Sequence, residues 1–529
     1  MKYKAKISLI LFVVIVISTF SSCAAQHGYK TINFNFDGTD VPLDNKCILI
    51  GSSTMIPMRE IFTHLGMSIE WDDNTMTATA KSSEATVAVT ADSNVMTVNG
   101  IAVTMPAKAI TVNSRMYIPL RALAESMGME VDYSEKLSTA YVFSQKREQL
   151  SVPEVSVTTT ALSDEDKAWL ISTLDSAVKK VAGTAGRTRD RVCYSTQSGL
   201  YTNKGAEKTN WWTNGFYPGI LWIMYENTKD QRYADYAQSL ENRLAYGLTD
   251  KATIDHDMGF LWMNSGYRNF MLTGNNESLS NVIKAAEELY ARYNRNGKFI
   301  VAWNGKANEN KSIIDTMMNL DLLYTATNLT RNPVYAKAAS NHADTTLKNF
   351  VRSDGSCHHQ VVMDPMTGDM TGFFAGQGYD DGTKTGSHWA RGNAWALYGF
   401  AKCFGFTGDI KYREASEKIA GYFKSGLRSG YDVPMDFNQP SYTKLVDTSA
   451  AAIAASGYVE LAKHTDNPEY LATAVGILKN LTEKYGGNNG EEALLTHGCV
   501  TYSNPVQQTL IYGDFYYLEA LMKLKDFAY

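Results

Sequence analysis

The chain has 529 residues, 44% of them hydrophobic and 20% charged, which is enough apolar side chain for more than one core. Its net charge is −5 and no long basic run follows the first few residues, so nucleic acid is excluded as a natural partner. Beyond the N-terminus no stretch is long and apolar enough to suggest a membrane-crossing helix.

The first predicted element is an export signal. Lys2, Lys4 and Lys6 precede an apolar run from Ile7 to Ile17, then Ser18-Thr19-Phe20-Ser21-Ser22-Cys23. Small residues ahead of a cysteine resemble the lipobox of bacterial lipoproteins, with Phe20 where that box usually has leucine. Residues 1–23 are therefore expected to be a lipoprotein-type signal with Cys23 lipidated, ordinary secretion being the alternative. The protein is expected outside the cytoplasm, on the bacterial cell surface, touching the membrane only through the lipid. Residues 24–36 read as a linker. Cys47, Cys193, Cys357, Cys403 and Cys499 form no C-x-x-C pair and read as isolated buried thiols.

Residues 37–146 hold an internal repeat. Thr54-Met55-Ile56-Pro57-Met58-Arg59 returns as Met116-Tyr117-Ile118-Pro119-Leu120-Arg121. Each copy runs through a short amphipathic helix to Gly-Met (Gly66-Met67; Gly128-Met129) and a strand. Proline opening and glycine closing a helical pattern are start and stop signals. Alternation in Thr86–Thr90 and Val95–Val103 adds strands. The segment resembles the small α+β module of the N-terminal domain of copper amine oxidases. Copper is not implied, because His64 is its only histidine. A spacer or a wall- or glycan-adhering role is expected. A polar linker follows at 147–162.

From residue 163 to 529 the pattern is helical. A turn recurs at Thr228–Tyr233, Thr330–Tyr335, Thr407–Tyr412 and Thr465–Tyr470, with a degenerate copy at Thr273-Gly274-Asn275. Each follows an apolar helix and opens another, with Asp or Asn as the cap. Roughly twelve helices, or six hairpins, are expected. Their irregular spacing favours a closed ring over an open solenoid. The fold class is thus multidomain: a small α+β repeat module, then an all-α (α/α)6 toroid with its long loops on one face.

Those loops and helix starts carry the unusual residues. Asp257 lies in His256-Asp257-Met258-Gly259-Phe260 and Asp315 in Ile313-Ile314-Asp315-Thr316-Met317-Met318-Asn319. A carboxyl group in apolar surroundings is costly to ionise, and a neighbouring carboxylate adds to that cost. General acid chemistry near neutral pH follows. Asp315 and Asn319, four apart, are expected on one helical face, with the amide steering the acid.

The segments Trp212-Thr213-Asn214-Gly215-Phe216, His256–Phe260, Ile313–Asn319, Gln377-Gly378-Tyr379 and Trp389-Ala390-Arg391-Gly392-Asn393-Ala394-Trp395 resemble glycoside hydrolase family 88, the unsaturated glucuronyl hydrolases. The resemblance spans residues 163–529 and implies an α/α toroid. It implies that a 4,5-unsaturated uronic acid is released from the non-reducing end of lyase-generated oligosaccharides by hydration of the C4=C5 bond. Asp315 is then the proton donor and Asp257 the second essential carboxylate. His359 (His358 being the alternative register) and Gln377 would contact substrate, and Arg391 would fork onto the uronate carboxylate. Trp212, Phe216, Trp303 and Trp395 would wall the subsite, and His256 would lie beside Asp257. No cofactor and no metal are implied. The Asp380–His388 loop is longer than the family's usual link, and Val500–Gln507 has no lysine to meet a 6-sulfate. Competing expectations are a related toroid enzyme acting on pectin fragments, an inverting glycosidase, and a non-catalytic glycan-binding lipoprotein.

Overall fold

A computed structural model describes residues 29–37, 39–135, 138–144, 160–380, 382 and 386–528. The export signal, Cys23 and most of the 147–162 linker lie outside the described residues. The chain divides into two units, residues 1–36 with 40–146, and residues 37–39 with 147–529.

In the first unit the repeat becomes visible as paired elements. Strand Ser53–Pro57 feeds helix Met58–His64, and strand Arg115–Pro119 feeds helix Leu120–Ser126. The two strands pair antiparallel with Ile56 opposite Ile118, so each copy lies against its own equivalent. Pro57 and Pro119, at φ −62° and −63°, end the strands where no amide hydrogen is needed. Gly66 and Gly128 follow the two helices at φ 71° and 79°, a conformation that glycine adopts without strain.

One boundary is corrected. Residues 30–36, expected as linker, form strand Lys30–Phe36, which pairs antiparallel with Cys47–Ile50 and parallel with Thr139–Phe143. Ile32 and Phe34 alternate into the core, the period-two pattern that pins a strand to one face. His64 packs edge-on against Phe36 with ring centroids 4.9 Å apart.

The second unit has twelve helices among its described residues. They are α1 (Asp164–Thr188), α2 (Phe216–Thr228), α3 (Gln231–Gly247), α4, α5 (Asn276–Tyr290), α6 (Leu320–Thr330), α7 (Pro333–Asn349), α8 (Ala390–Thr407), α9 (Ile410–Ser425), α10 (Thr448–Lys463), α11 (Pro468–Tyr485) and α12 (Ile511–Leu524). Helix α4 runs Met258–Trp262, passes through a π-helical turn at Met263–Tyr267, and continues as Arg268–Thr273.

The recurring turn closes the inner helices onto the outer ones. Asp230, Asn275, Asn332, Asp409 and Asn467 each accept a backbone N–H two residues on, capping the next helix. The threonines Thr228, Thr330 and Thr407 each donate back to the carbonyl four residues earlier at 2.7 Å.

The even-numbered helices form the inner ring. Each packs on the next, and α12 packs back on α2, which closes it. They are mostly apolar because both of their faces are covered. Trp222 and Trp262 are buried there. Close approach depends on small residues, and a Cβ on Gly457 would lie 2.3 Å from Leu397. All five cysteines of the described residues are buried and free, matching the isolated thiols expected.

Because hairpin turns join inner to outer helices, the long outer-to-inner connections gather at the opposite end, over the N-termini of the inner helices. The turn-side mouth holds buried charges in pairs. Lys402 meets Asp321 at 2.6 Å, Lys523 meets Glu460 at 2.6 Å, and Arg268 meets Glu519 at 3.3 Å.

Candidate active site

Asp257 directly precedes α4, and Asp315 lies in the 3-10 turn Ile314–Asn319 that leads into α6. A short ladder fixes the second of these. Strand Lys311–Ile313 pairs with Gln360–Met363, and Ile314 N–H donates to the His359 carbonyl at 3.0 Å. His359 and Asp315 are thereby held side by side.

The 3-10 winding changes the expected role of Asn319. Its amide donates to Asp257 Oδ1 at 3.3 Å and to the Asp315 backbone carbonyl at 3.2 Å, and its Oδ1 accepts Phe260 N–H at 2.9 Å. Asn319 thus steers Asp257 rather than the Asp315 carboxyl, and its groups are spent inside the protein. The contact requires Gly259, where a Cβ would sit 2.6 Å from the Asn319 Cα.

The two side chains keep 12% and 16% of their surface at Asp257 and Asp315, so small groups can still reach them. Burial pushes Asp315 up to about 6, against the pull of the Arg391 charge, a backbone N–H and the Trp395 indole N–H. Burial raises Asp257 well above the usual carboxylate range, helped by the charges of Asp255 and Asp315 and opposed by the Asn319 amide. The hydrogen bonds to the two carboxyls differ. Asp257 receives the Asn319 amide, which suits a carboxylate. Asp315 has His359 Nε2 at 3.6 Å, beyond hydrogen-bond distance, and its buried Oδ1 lacks a close donor.

Both neighbouring histidines are neutral. Burial pushes His359 down to about 3 and His256 well below its ordinary value. Gln377 N–H lies 3.0 Å from His359 Nδ1, which also lies 3.3 Å from the Ala375 carbonyl, and Nε2 faces Asp315. His256 Nδ1 lies 3.3 Å from Asp257 Oδ1 and 3.2 Å from Thr316 Oγ1.

Other buried acids hold more direct hydrogen bonds than the pair. Asp447 is bonded by Arg391 at 2.7 Å, and Asp436 takes the backbone N–H groups of Tyr379, His388 and Asn438. Asp514 takes those of Leu494 and Leu495. Among the described residues no lysine or arginine lies within 4.0 Å of Asp257 or Asp315.

Of the expected aromatic wall, Trp212 and Trp303 are partly exposed. Trp212 stands 4.7 Å from Tyr512 and 5.4 Å from Phe260 by ring centroid. Trp303 stands edge-on to His256 at 6.1 Å. Gln377 is also partly exposed, with one side-chain oxygen buried and unpartnered.

Several expected roles are corrected by burial. Phe216 and Trp395 are 0% exposed and form a second layer, Phe216 behind Trp212 and Trp395 behind Phe260. His256, His359 and Asn319 are likewise enclosed, so they position the acids instead of lining the wall.

Arg391 is also corrected as a free fork. Its Nη1 donates to Asp447, Ser449 and the Cys499 carbonyl, and Nη2 donates to the Val500 carbonyl at 2.9 Å. It is sandwiched between Trp389 at 4.5 Å and Tyr512 at 5.3 Å. Asp447, Trp389, Tyr512 and Asp255, whose Oδ1 accepts Asp257 N–H at 3.0 Å, are structural partners that the sequence reading did not single out. Only Trp389, inside the Trp-Ala-Arg segment, carried a visible signal. Among the described residues no group of His, Cys, Asp and Glu is gathered to hold a metal.

Residues 187–425 match the model of Glycosyl Hydrolase Family 88, and residues 35–142 match that of the copper amine oxidase N-terminal domain. An unsaturated glucuronyl hydrolase of Formosa agariphila is 35% identical over 327 residues, covering 60% of this chain and 80% of that protein. An unsaturated chondroitin disaccharide hydrolase of Streptococcus agalactiae is 32% identical, covering 59% of this chain and 81% of that one. The crystal structure of an unsaturated glucuronyl hydrolase from Streptococcus agalactiae aligns with a TM-score of 0.63 at 28% identity, covering 72% of this chain and 97% of that one. One specific for heparin aligns with a TM-score of 0.62 at 30% identity, covering 68% of this chain and 97% of that one.

Proposed function

This chain belongs to glycosyl hydrolase family 88, and we propose that it releases a 4,5-unsaturated uronic acid from the non-reducing end of lyase-generated oligosaccharides. The observation that carries this reading is the Asp257–Asp315 pair. Among the described residues these two acids have no lysine or arginine within ion-pair distance, whereas Asp447 is met by Arg391 and both Asp436 and Asp514 accept several backbone N–H groups.

Protonated Asp315 gives its hydrogen to C4 of the alkene. Positive charge then develops at C5, shared with the ring oxygen, and the Asp257 carboxyl oxygens beside it stabilise it. Water adds at C5 and returns a proton to Asp315. The resulting hemiketal opens to a ketone, and the hemiacetal left at C1 expels the rest of the sugar. The N-termini of the six inner helices lie on the face that carries the two acids, and their partial positive charge suits an anionic ring. That field supplies part of what a freely forking Arg391 was expected to give.

The reaction destroys a conjugated double bond, so near-ultraviolet absorbance follows it directly. Unsaturated disaccharides from hyaluronan, chondroitin, heparin, gellan and pectin form the test panel, in heavy water as well as light. Loss of absorbance with deuterium at C4 of the product supports the reading. Cleavage of saturated glycosides with absorbance intact would replace it by ordinary glycoside hydrolysis. The comparisons favour neither the pectin-fragment alternative nor non-catalytic glycan capture.

We further propose that the protein works outside the cytoplasm, tethered through a lipid on Cys23, with the N-terminal module contacting wall or glycan. Labelled fatty acid incorporated by the wild type and lost in Cys23→Ala tests the anchor. Equal labelling of the two would refute it.

A further inference from the structure

The loop between α1 and α2 carries a cleft of about 190 Å³ lined by Tyr194, Lys204, Gly205, Glu207, Lys208 and Trp211. Trp211 is 39% exposed, an unusual position for the largest apolar side chain, and it adjoins Trp212 of the hollow. Lys208 Nζ stands 5.3 Å over the Trp211 ring, and Lys204 Nζ stands 5.4 Å over the Tyr194 ring. The rings hold two ammonium groups in place, at a cost in freedom that a solvated lysine does not bear. Among the described residues neither lysine has a carboxylate within ion-pair distance. Glu207 is the one acid in the cleft wall.

Tyr194 ties this cleft to the acids. Its carbonyl accepts Ile511 N–H at 2.9 Å, at the start of α12. The next residue, Tyr512, faces Trp212 at 4.7 Å and the Arg391 guanidinium at 5.3 Å. The cleft wall is thus joined through the start of α12 to Tyr512, which packs on Trp212. The neighbouring segment Val500–Gln507 offers no cation of its own.

We propose that this cleft receives an anionic substituent, sulfate or carboxylate, on the sugar that follows the released uronate, with Lys204 and Lys208 meeting the charge and Trp211 meeting the ring face. The inference rests on the reaction proposed above and names a substrate feature for it. Flat aromatic faces stack on pyranose rings, and paired ammonium groups recognise compact anions as point charges.

The test uses full-length protein and three unsaturated disaccharides: one sulfated on the second sugar, its desulfated analogue, and one bearing a carboxylate there. Two exposed charge contacts together correspond to about tenfold in kcat/KM. In Lys204→Ala/Lys208→Ala the ratio of kcat/KM for a charged over the uncharged substrate should fall about tenfold, through KM. Lys204→Arg/Lys208→Arg should retain it. Added salt should lower the wild-type ratio. The arm that responds, sulfate or carboxylate, identifies the anion. A ratio unchanged within twofold in the alanine variant, or a wild type that prefers the uncharged sugar, overturns the subsite and leaves the reaction standing. Absence of wild-type turnover on all three overturns both.

Discussion

Asp315→Asn separates chemistry from stability. The amide keeps the shape of the carboxyl but has no acidic proton, so turnover should fall by at least about a hundredfold while sugar binding persists. Burial lifts Asp315 from 3.8 to about 6, a difference of about 2 pH units, or about 3 kcal/mol at 1.36 kcal/mol per unit. The folded state therefore holds this proton more tightly than the unfolded state. Between about pH 4 and 6 stability falls as pH rises, and above 6 the full cost of ionising a buried acid is present. Asparagine removes that cost. The variant should match the wild type near pH 4 and exceed it by up to about 3 kcal/mol at pH 7.5. For a domain of this size that is about 4 °C in Tm. Paired thermal melts at the two pH values measure the difference, and common titrations cancel between wild type and variant. A variant less stable than wild type at pH 7.5, or equally shifted at both pH values, would refute the claim that Asp315 is ionised there at the fold's expense.

The rate should follow the same proton. With Asp315 at about 6, kcat/KM should drop about tenfold per pH unit above that value, read from a pH–rate profile. His359, held down to about 3, should contribute no break near neutrality. Gly259→Ala would push a Cβ to 2.6 Å from the Asn319 Cα. Loss of about 1–3 kcal/mol in denaturant unfolding should accompany a large drop in kcat, because the amide that steers Asp257 is displaced. Arg391→Ala leaves Asp447, 0% exposed, without its cation, and should cost about 3–5 kcal/mol. A variant folded at wild-type stability would return Arg391 to the role of a free clamp.

Much of the architecture was legible because it repeats. The Thr-x-Asp/Asn turns announce their own caps, and the copies of Ile-Pro in the module announce a pair of equivalent strands. Asp257 and Asp315 were legible as acids placed where acids are costly. What escaped was set by distance along the chain. Arg391 spends its donors on Asp447 and on the Val500 carbonyl, 56 and 109 residues away, and no local pattern records such partners. Trp212 and Trp395 both sit beside helix starts, yet one faces the hollow and the other lies a layer behind. That choice belongs to ring packing, to which a single sequence gives no address. The strand at 30–36 was readable in its alternation of Ile32, Phe34 and Phe36, but one of its two pairing partners is more than a hundred residues downstream.

The two mouths of the ring make opposite demands on their acids, and one further substitution exposes the contrast. Asp321, 6% exposed at the turn-side mouth, meets Lys402 at 2.6 Å, and Lys402 also draws on the charges of Glu519 and Glu460. Asp321→Asn is the same chemical change as Asp315→Asn, an acid replaced by its amide on the first turn of the same inner helix or just before it. Here it strips a cation of its nearest counter-charge, and breaking a buried pair costs about 3 kcal/mol or more. The expected sign is therefore reversed: Asp321→Asn should lower Tm at pH 7.5 and leave kcat within about twofold, whereas Asp315→Asn should raise Tm and remove kcat. Melts and absorbance assays on the two variants, made side by side, check both signs. Two variants that shift Tm in the same direction would mean that charge compensation does not distinguish the mouths, and the assignment of the uncompensated end as the reacting end would lose its physical basis.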